Sequence, residues 1–325
     1  MEWRTELNVK EAKNKIGYSD PIFTIGSCFS DELGQQLIEN KFLIWKNRFG
    51  TVYNPISIHR LLQFGLQNQL PASSSYLNHE DVFLNYDFHS SVSSLNKNDL
   101  EQKVQNLIAE ASLFLKSTKR IVITYGTAFV YKLKSSGEIV ANCHKQPSAL
   151  FEKCLLTENE IVESFGQFYS RLTQINPNAR IILTVSPVRH LKDTLELNSV
   201  SKSILRVACH TLTNRFPNVD YFPAYEILLD DLRDYRFFKT DRIHPIEEAA
   251  EYIWQKFADA YFDEPTKKFI SEWKKIKADL NHKPFHVESA SHQKFLQSLL
   301  LKLESLKSLM DVKNEIEMIK SQIVQ

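Results

Sequence analysis

The sequence predicts a doubly wound α/β fold built on a parallel sheet, followed by a helical tail. Short apolar runs recur along the chain, at Pro21–Ile25 (PIFTI), Arg120–Gly126 (RIVITYG), Arg180–Val188 (RIILTVSPV) and Asn218–Ala224 (NVDYFPA). Helical patterns lie between them, near Glu158–Gln174 and Ser199–Asn214. Strands alternating with helices at this spacing imply crossover connections, and so a parallel sheet. One long helix is expected from about His292 to Ile323, a stretch that holds neither Gly nor Pro.

Taken in order, PIFTI is short and apolar enough for a buried strand. It ends at Gly26-Ser27, and FSDELGQQLIEN then places Phe29, Leu33, Leu37 and Ile38 on one helical face. Strand, sharp turn and helix form the first half of a βαβ unit. Residues from about Gly65 to Thr118 break the alternation with a polar loop (PASSSYLNHED), an extended piece (DVFLNYDFHSSVS) and a helix. FVYKLKSSGEIVANCHK is patterned as a hairpin around Ser136-Gly137. Both stretches are expected as insertions over the carboxyl edge of the sheet, where such folds bind ligands. Ser27, Gly126 and Arg189 fall at that edge.

After Phe262 the composition changes, which divides the chain into residues 1–262 and 263–325. Asp263–Ser291 is charged and His-rich. In the tail, Leu296, Leu299, Leu303, Leu306 and Met310 step by three and four, and Leu309, Val312, Ile316, Ile319 and Ile323 repeat the pattern in a shifted phase. That describes either a discontinuous coiled-coil-like helix that pairs copies of the chain, or an amphipathic helix lying on its own domain.

Composition narrows the function classes. Lys plus Arg number 40 against 39 Asp plus Glu, so no global field draws nucleic acid or an anionic membrane. The N-terminus mixes charges without the apolar run of a signal peptide, and no stretch approaches the roughly 18 apolar residues of a membrane span. The four cysteines, Cys28, Cys143, Cys154 and Cys209, are scattered. They form neither a zinc framework nor a disulfide scaffold. A reduced, cytoplasmic protein is expected.

Two sites suggest chemistry. A serine in a tight strand-to-helix turn presents its hydroxyl at the sheet edge, beside helix amides that face developing negative charge. Gly-Ser before a helix is equally an ordinary N-cap. Further on, FKTDRIHPIEEAAEYIWQKF marks a helix start at Pro245 and Glu247-Glu248, leaving Asp241 and His244 in the preceding loop. At that separation the carboxylate can accept the imidazole Nδ1 proton and leave Nε2 as a base.

FTIGSCFSDELG, FGTVYNP, YGTAFVY, ANCHKQP and TVSPVRHLKD together closely resemble the GSCFA family, within the SGNH hydrolases, over about residues 1–262. The motif here is Gly26-Ser27-Cys28-Phe29-Ser30, with Ser in place of the final Ala. The resemblance implies a three-layer α/β/α, flavodoxin-like fold. It also implies a serine hydrolase in which Ser27 is the nucleophile, His244 the base and Asp241 its orienting acid. By the same resemblance, Gly50 matches the glycine that lends its amide to the oxyanion. The Gly-x-Asn-Asp block of the superfamily is here Gly126-Thr127-Ala128, without the Asn that donates a second oxyanion bond. Asn54, Thr127 and Asn142 are the candidates to replace it.

Cys28 is either a thiol nucleophile or a small residue packing the helix start. Arg189 and Lys202 are either anchors for an anionic part of the substrate or solvated charges. His144 and His190 could line the pocket. Cys143-His144 and His89 lack metal-ligand spacing, and the resemblance implies neither metal nor cofactor. The expected activity is hydrolysis of an acyl ester, such as deacetylation of a sugar, glycan or other small metabolite. The alternative is a catalytically weak SGNH-fold scaffold that assembles through its C-terminal helix.

Overall fold

The computed structural model describes residues 4–323. The chain runs β1 (Ile22–Gly26), α1 (Cys28–Glu39), β2 (Ile44–Lys46) and α2 (Pro55–Gln67), then a hairpin of β3 (Tyr76–His79) and β4 (Val82–Asn85). Helix α3 (Lys97–Ser117) leads into β5 (Arg120–Tyr125). Three antiparallel strands follow, β6 (Phe129–Leu133), β7 (Ile139–Val140) and β8 (Phe151–Leu155). Next come α4 (Glu158–Ile175), β9 (Arg180–Val185), α5 (Thr194–Arg215) and β10 (Val219–Tyr221). A single turn, α6 (Ala224–Glu226), continues as π-helix through Leu232 and precedes α7 (Glu247–Tyr261), α8 (Glu264–Leu280), α9 (Ala290–Leu306) and α10 (Lys313–Lys320).

The central sheet has the order β10-β9-β5-β1-β2, with every pair parallel. Numbered by strand this is 2-1-3-4-5, the flavodoxin-like order. Alternation along the strands decides which helices each face receives. Phe23, Ile25, Ile121, Ile123, Ile181 and Leu183 pack under α2, α3, α4 and α5. Ile22, Val122 and Ile182 point the other way, against α1, α7 and the π-helical segment. The result is the expected three-layer α/β/α domain.

The hairpin from Tyr76 to Asn85 forms because Glu80 and Asp81 both take positive φ, which closes a tight two-residue turn between strands. Part of the stretch expected as polar loop is therefore strand. The hairpin around Ser136-Gly137 forms as β6 and β7, with β8 pairing on the other side of β6.

The tail departs from a single long helix. It breaks between Leu306 and Lys313 into α9 and α10, and the break has a physical reason. The two out-of-phase apolar stripes cannot face one surface on a straight helix. Once the chain folds back, Leu296, Leu299 and Leu303 meet Val312, Ile316 and Ile319 around Trp273 and Ile276 of α8. The stripes that suggested an assembly surface are largely buried within the chain. This small core is tied to the main domain where Trp273 Nε1 donates to the carbonyl of Glu39 (2.7 Å) and Lys41 pairs with Glu315 (2.6 Å). Among the described residues no helix is long and apolar enough to cross a membrane.

Candidate active site

The strand order reverses between β1 and β5, and ligands of such sheets bind at the carboxyl edge of that switch point. Gly26 closes the β1–α1 turn there with φ +141°. A Cβ on it would lie 2.8 Å from the amide nitrogen of Thr124 and closer still to that residue's carbonyl oxygen. Only glycine keeps β1 paired with β5 to its last residue. Asn47 braces the turn. Its Oδ1 accepts from the Gly26 amide (3.1 Å) and its Nδ2 donates to Asp31 Oδ1 (3.1 Å), while Thr51 Oγ1 donates to Asp31 Oδ2 (3.1 Å).

Asp241 and His244 occupy the loop before α7. Asp241 Oδ2 accepts from His244 Nδ1 at 2.8 Å, and its Oδ1 accepts from the amides of Ile243 (2.8 Å) and His244 (3.0 Å). The bond to the imidazole, followed by the two amides, holds the Asp241 carboxyl well below the usual carboxylate range. An ionised carboxylate can only accept, so Nδ1 carries the proton and Nε2 is left as a base. Arg189 supports this loop. Its guanidinium donates to the carbonyl of Arg242 (3.1 Å) and lies 4.3 Å above the Phe238 ring.

The atom facing Nε2 is sulfur. Cys28 Sγ lies 3.8 Å from His244 Nε2. Ser27 is the N-cap of α1, extended at φ −69°, ψ 176° and 0% exposed. Its Oγ has no hydrogen-bond partner among the described residues. Asp241 and His244 are thus brought together as expected, and Cys28 stands where Ser27 was expected. Burial and the Asp31 carboxylate push the Cys28 thiol up, while Lys202 and the amides of Phe29 and Cys28 at the start of α1 favour the anion.

The expected oxyanion donors are otherwise engaged. The Gly50 amide donates to Asn47 O (2.8 Å), and the Ser27 amide to Thr124 O (3.0 Å). Asn54 caps α2, accepting from the Ser57 amide (2.8 Å) and donating to Ser57 Oγ (3.0 Å). Thr127 Oγ1 bonds Ser201 Oγ (3.0 Å) and accepts from the Phe129 amide (3.1 Å). Asn142 Oδ1 accepts from the His144 amide (2.8 Å), and its Nδ2 donates to Ser90 Oγ (3.2 Å). Each of these side chains satisfies backbone or a neighbouring hydroxyl. The amides of Cys28 and Phe29, at the start of α1, favour negative charge there.

Three residues complete the surroundings. Tyr53 accepts at its carbonyl from the amides of Gly126 (2.8 Å) and Thr127 (3.1 Å), and its ring meets His190 edge-on at 5.1 Å. His190 Nε2 is buried without a partner among the described residues, and burial pulls His190 down to about 4, so it is neutral. Lys202 is buried, its Nζ donating to the carbonyls of Gly126 and Ser186. This corrects the expectation of a solvated charge, and the missed signal was that Asn198, Ser201, Lys202, Leu205, Ala208, Cys209 and Leu212 share one stripe of α5. His144 belongs elsewhere, bonding Asn85 O (2.8 Å) and Ser90 Oγ (3.2 Å). Among the described residues no group of three His, Cys, Asp or Glu side chains is placed to hold a metal ion.

The family model described as the GSCFA family matches residues 21–257. The chain belongs to the GSCFA family. A second model, the C-terminal domain of GSCFA domain proteins, matches residues 273–325, so α8–α10 are also part of the GSCFA pattern. No curated protein matches the sequence. Among solved structures, this GSCFA chain is similar to a carbohydrate esterase family 3 protein from Talaromyces cellulolyticus. The TM-score is 0.34 at 7% identity, covering 79% of this chain and 99% of that one. It is also similar to an acetyl xylan esterase, Est2A, from Butyrivibrio proteoclasticus, with TM-score 0.37 and 13% identity over 74% of this chain and 63% of that one. A family 3 carbohydrate esterase from Clostridium thermocellum gives TM-score 0.31 and 10% identity over 78% and 98%.

Proposed function

We propose that this protein hydrolyses acyl esters through a thiol nucleophile, with Cys28, His244 and Asp241 as the working triad. The observation that carries the reading is the approach of Cys28 Sγ to His244 Nε2 at 3.8 Å, with Nδ1 of the same ring held by Asp241 Oδ2 at 2.8 Å. A thiol nucleophile needs a base in reach and a base needs an orienting partner, and both are supplied here.

In this mechanism Nε2 takes the thiol proton as sulfur attacks the ester carbonyl, forming the C–S bond. The oxyanion is held at the start of α1, where the Cys28 and Phe29 amides and the helix dipole favour negative charge. Collapse breaks the ester C–O bond, and the alcohol leaves with the proton from Nε2. Water, deprotonated by the same nitrogen, attacks the resulting thioester. Sulfur departs and recovers its proton from His244. The sequence expectation of Ser27 as nucleophile gives way to Cys28 in this reading, since Ser27 Oγ is enclosed beneath the turn. Short acyl esters of sugars and other small alcohols are the substrates to try first.

The test is turnover of an acetyl-ester panel by Cys28→Ala and Ser27→Ala, with mass mapping of the acyl group. Cys28→Ala should abolish hydrolysis and Ser27→Ala should retain it to within about tenfold. The acyl group should map to Cys28. An active Cys28→Ala protein alongside a dead Ser27→Ala protein would overturn the thiol assignment.

A further inference from the structure

Lys202 projects from α5 into the floor of the site and is 1% exposed. Its Nζ donates to the carbonyl oxygens of Gly126 and Ser186, each at 2.7 Å, at the ends of β5 and β9. The Tyr225 ring lies 5.9 Å away. Among the described residues no carboxylate forms an ion pair with it. A buried ammonium held by neutral carbonyls has lost its hydration without gaining a counter-charge, which is a costly arrangement unless an anion forms nearby.

The turn that carries Cys28 lies against this lysine. Gly126, whose carbonyl Lys202 holds, packs directly against the β1–α1 turn. A Cβ on Gly126 would fall 3.2 Å from the Cβ of Ser27, so the ammonium lies behind the turn that carries Cys28. His190, buried in the same surroundings, is neutral and offers no negative charge, while Asp31 on α1 opposes an anion at Cys28. The ionisable side chain carried by that turn is Cys28, with His244 facing its sulfur.

We propose that Lys202 is a positioning residue that stabilises Cys28 as an anion, both as the attacking thiolate and as the sulfur released when the thioester is hydrolysed. The proposal rests on Cys28 being the nucleophile. Burial pulls Lys202 down to about 7, with Cys28 opposing that fall, so its charge is responsive to the state of the sulfur. The coupling is reciprocal. Whatever the ammonium does for the thiolate, the thiolate does for the ammonium.

The experiment follows the alkylation of Cys28 by iodoacetamide against pH, with each cysteine peptide quantified separately by mass spectrometry. Lys202→Gln keeps a side-chain N–H donor and removes the charge. In this variant the midpoint for Cys28 should rise by about one pH unit, making alkylation about tenfold slower at a fixed lower pH. A folded Lys202→Gln protein whose Cys28 profile superimposes on wild type would overturn the proposal.

Should that variant not fold, the same coupling is measured from the other side. With lysine side chains labelled for NMR, the Lys202 midpoint should fall on Cys28→Ser, and no movement would overturn the proposal. If Cys28 in the wild type is not alkylated while Cys143 and Cys154 are, the thiol reading itself fails. That outcome differs from a Cys28 that reacts without regard to Lys202.

Discussion

Replacing Asp241 with Asn tests the tautomer on which the site depends. Asp241 makes three contacts, two through Oδ1 to the amides of Ile243 and His244 and one through Oδ2 to His244 Nδ1 at 2.8 Å. An amide side chain keeps the Oδ1 contacts, so the turn survives. It converts the third acceptor into an N–H donor facing Nδ1. The ring then carries its proton on Nε2, the nitrogen that must take the proton from Cys28. The equivalent change in serine triads lowers kcat about 10⁴-fold. A thiol depends less on its base than a hydroxyl does, so the expected loss in kcat/KM is about 10²- to 10⁴-fold, or roughly 3–5 kcal/mol of barrier. Asp241 and His244 side chains are each 43% exposed, so the expected loss of folding stability is below about 1 kcal/mol. Ester hydrolysis and urea unfolding, measured on the same preparation, separate the two effects. Turnover within about threefold of wild type in a folded Asp241→Asn protein would refute the triad and leave Asp241 as a turn residue.

Two further predictions concern the fold around the site. Gly26→Ala places a methyl against the backbone of Thr124 at φ +141°. Strain and overpacking together should remove about 3–5 kcal/mol in a urea titration, and a loss below about 1 kcal/mol would show that the β1–β5 ends part easily. His59 is buried between Tyr125 Oη (2.6 Å) and Ser164 Oγ (2.9 Å), and burial pulls it down to about 3 from an ordinary 6.5. The unfolded chain therefore takes up a proton below pH 6.5 that the folded chain refuses until about pH 3, so stability falls as pH drops through that window. The loss reaches on the order of 4–5 kcal/mol at its lower end. Wild type and His59→Gln should consequently diverge in the pH dependence of their unfolding free energies, and parallel curves from pH 6.5 to 4 would refute the assignment.

Much of the fold was legible because β1, β5 and β9 are buried on both faces and appear as continuous apolar runs. Strand β2 was not, because Ile44-Trp45-Lys46 is a three-residue edge strand too short to show a period. Helix α2 was announced by Asn54-Pro55, an N-cap followed by proline at the first turn. Reserving Asn54 for the oxyanion obscured that signal. Thr127 and Asn142 illustrate the same hazard, since polar residues near a site often satisfy loop backbone first. The phase change in the tail marked the break between α9 and α10. That both pieces close on Trp273 of α8 depends on contacts between elements, which periodicity does not record.

If Cys28 is the nucleophile, as proposed, the site lies one residue from the sequence expectation of Ser27, and the displacement has a mechanical origin. Strand, turn and helix place Gly26, Ser27 and Cys28 at the sheet edge, and the D-x-x-H loop places the base above it. Which of two adjacent side chains meets that base depends on rotation through the turn, and successive helical positions differ by about 100°. Ser27 is still extended and packs toward Gly126. Cys28 is the first helical residue and faces His244. The chemistry favours the same choice. Helix amides and a buried ammonium stabilise an anion, and a thiol reaches the anionic form far more readily than a hydroxyl. In the proposed reading, the head of α1 and Lys202 beneath it partly offset the burial and the Asp31 charge that push the Cys28 thiol up. A hydroxyl would draw on the helix and the lysine only as it reacts.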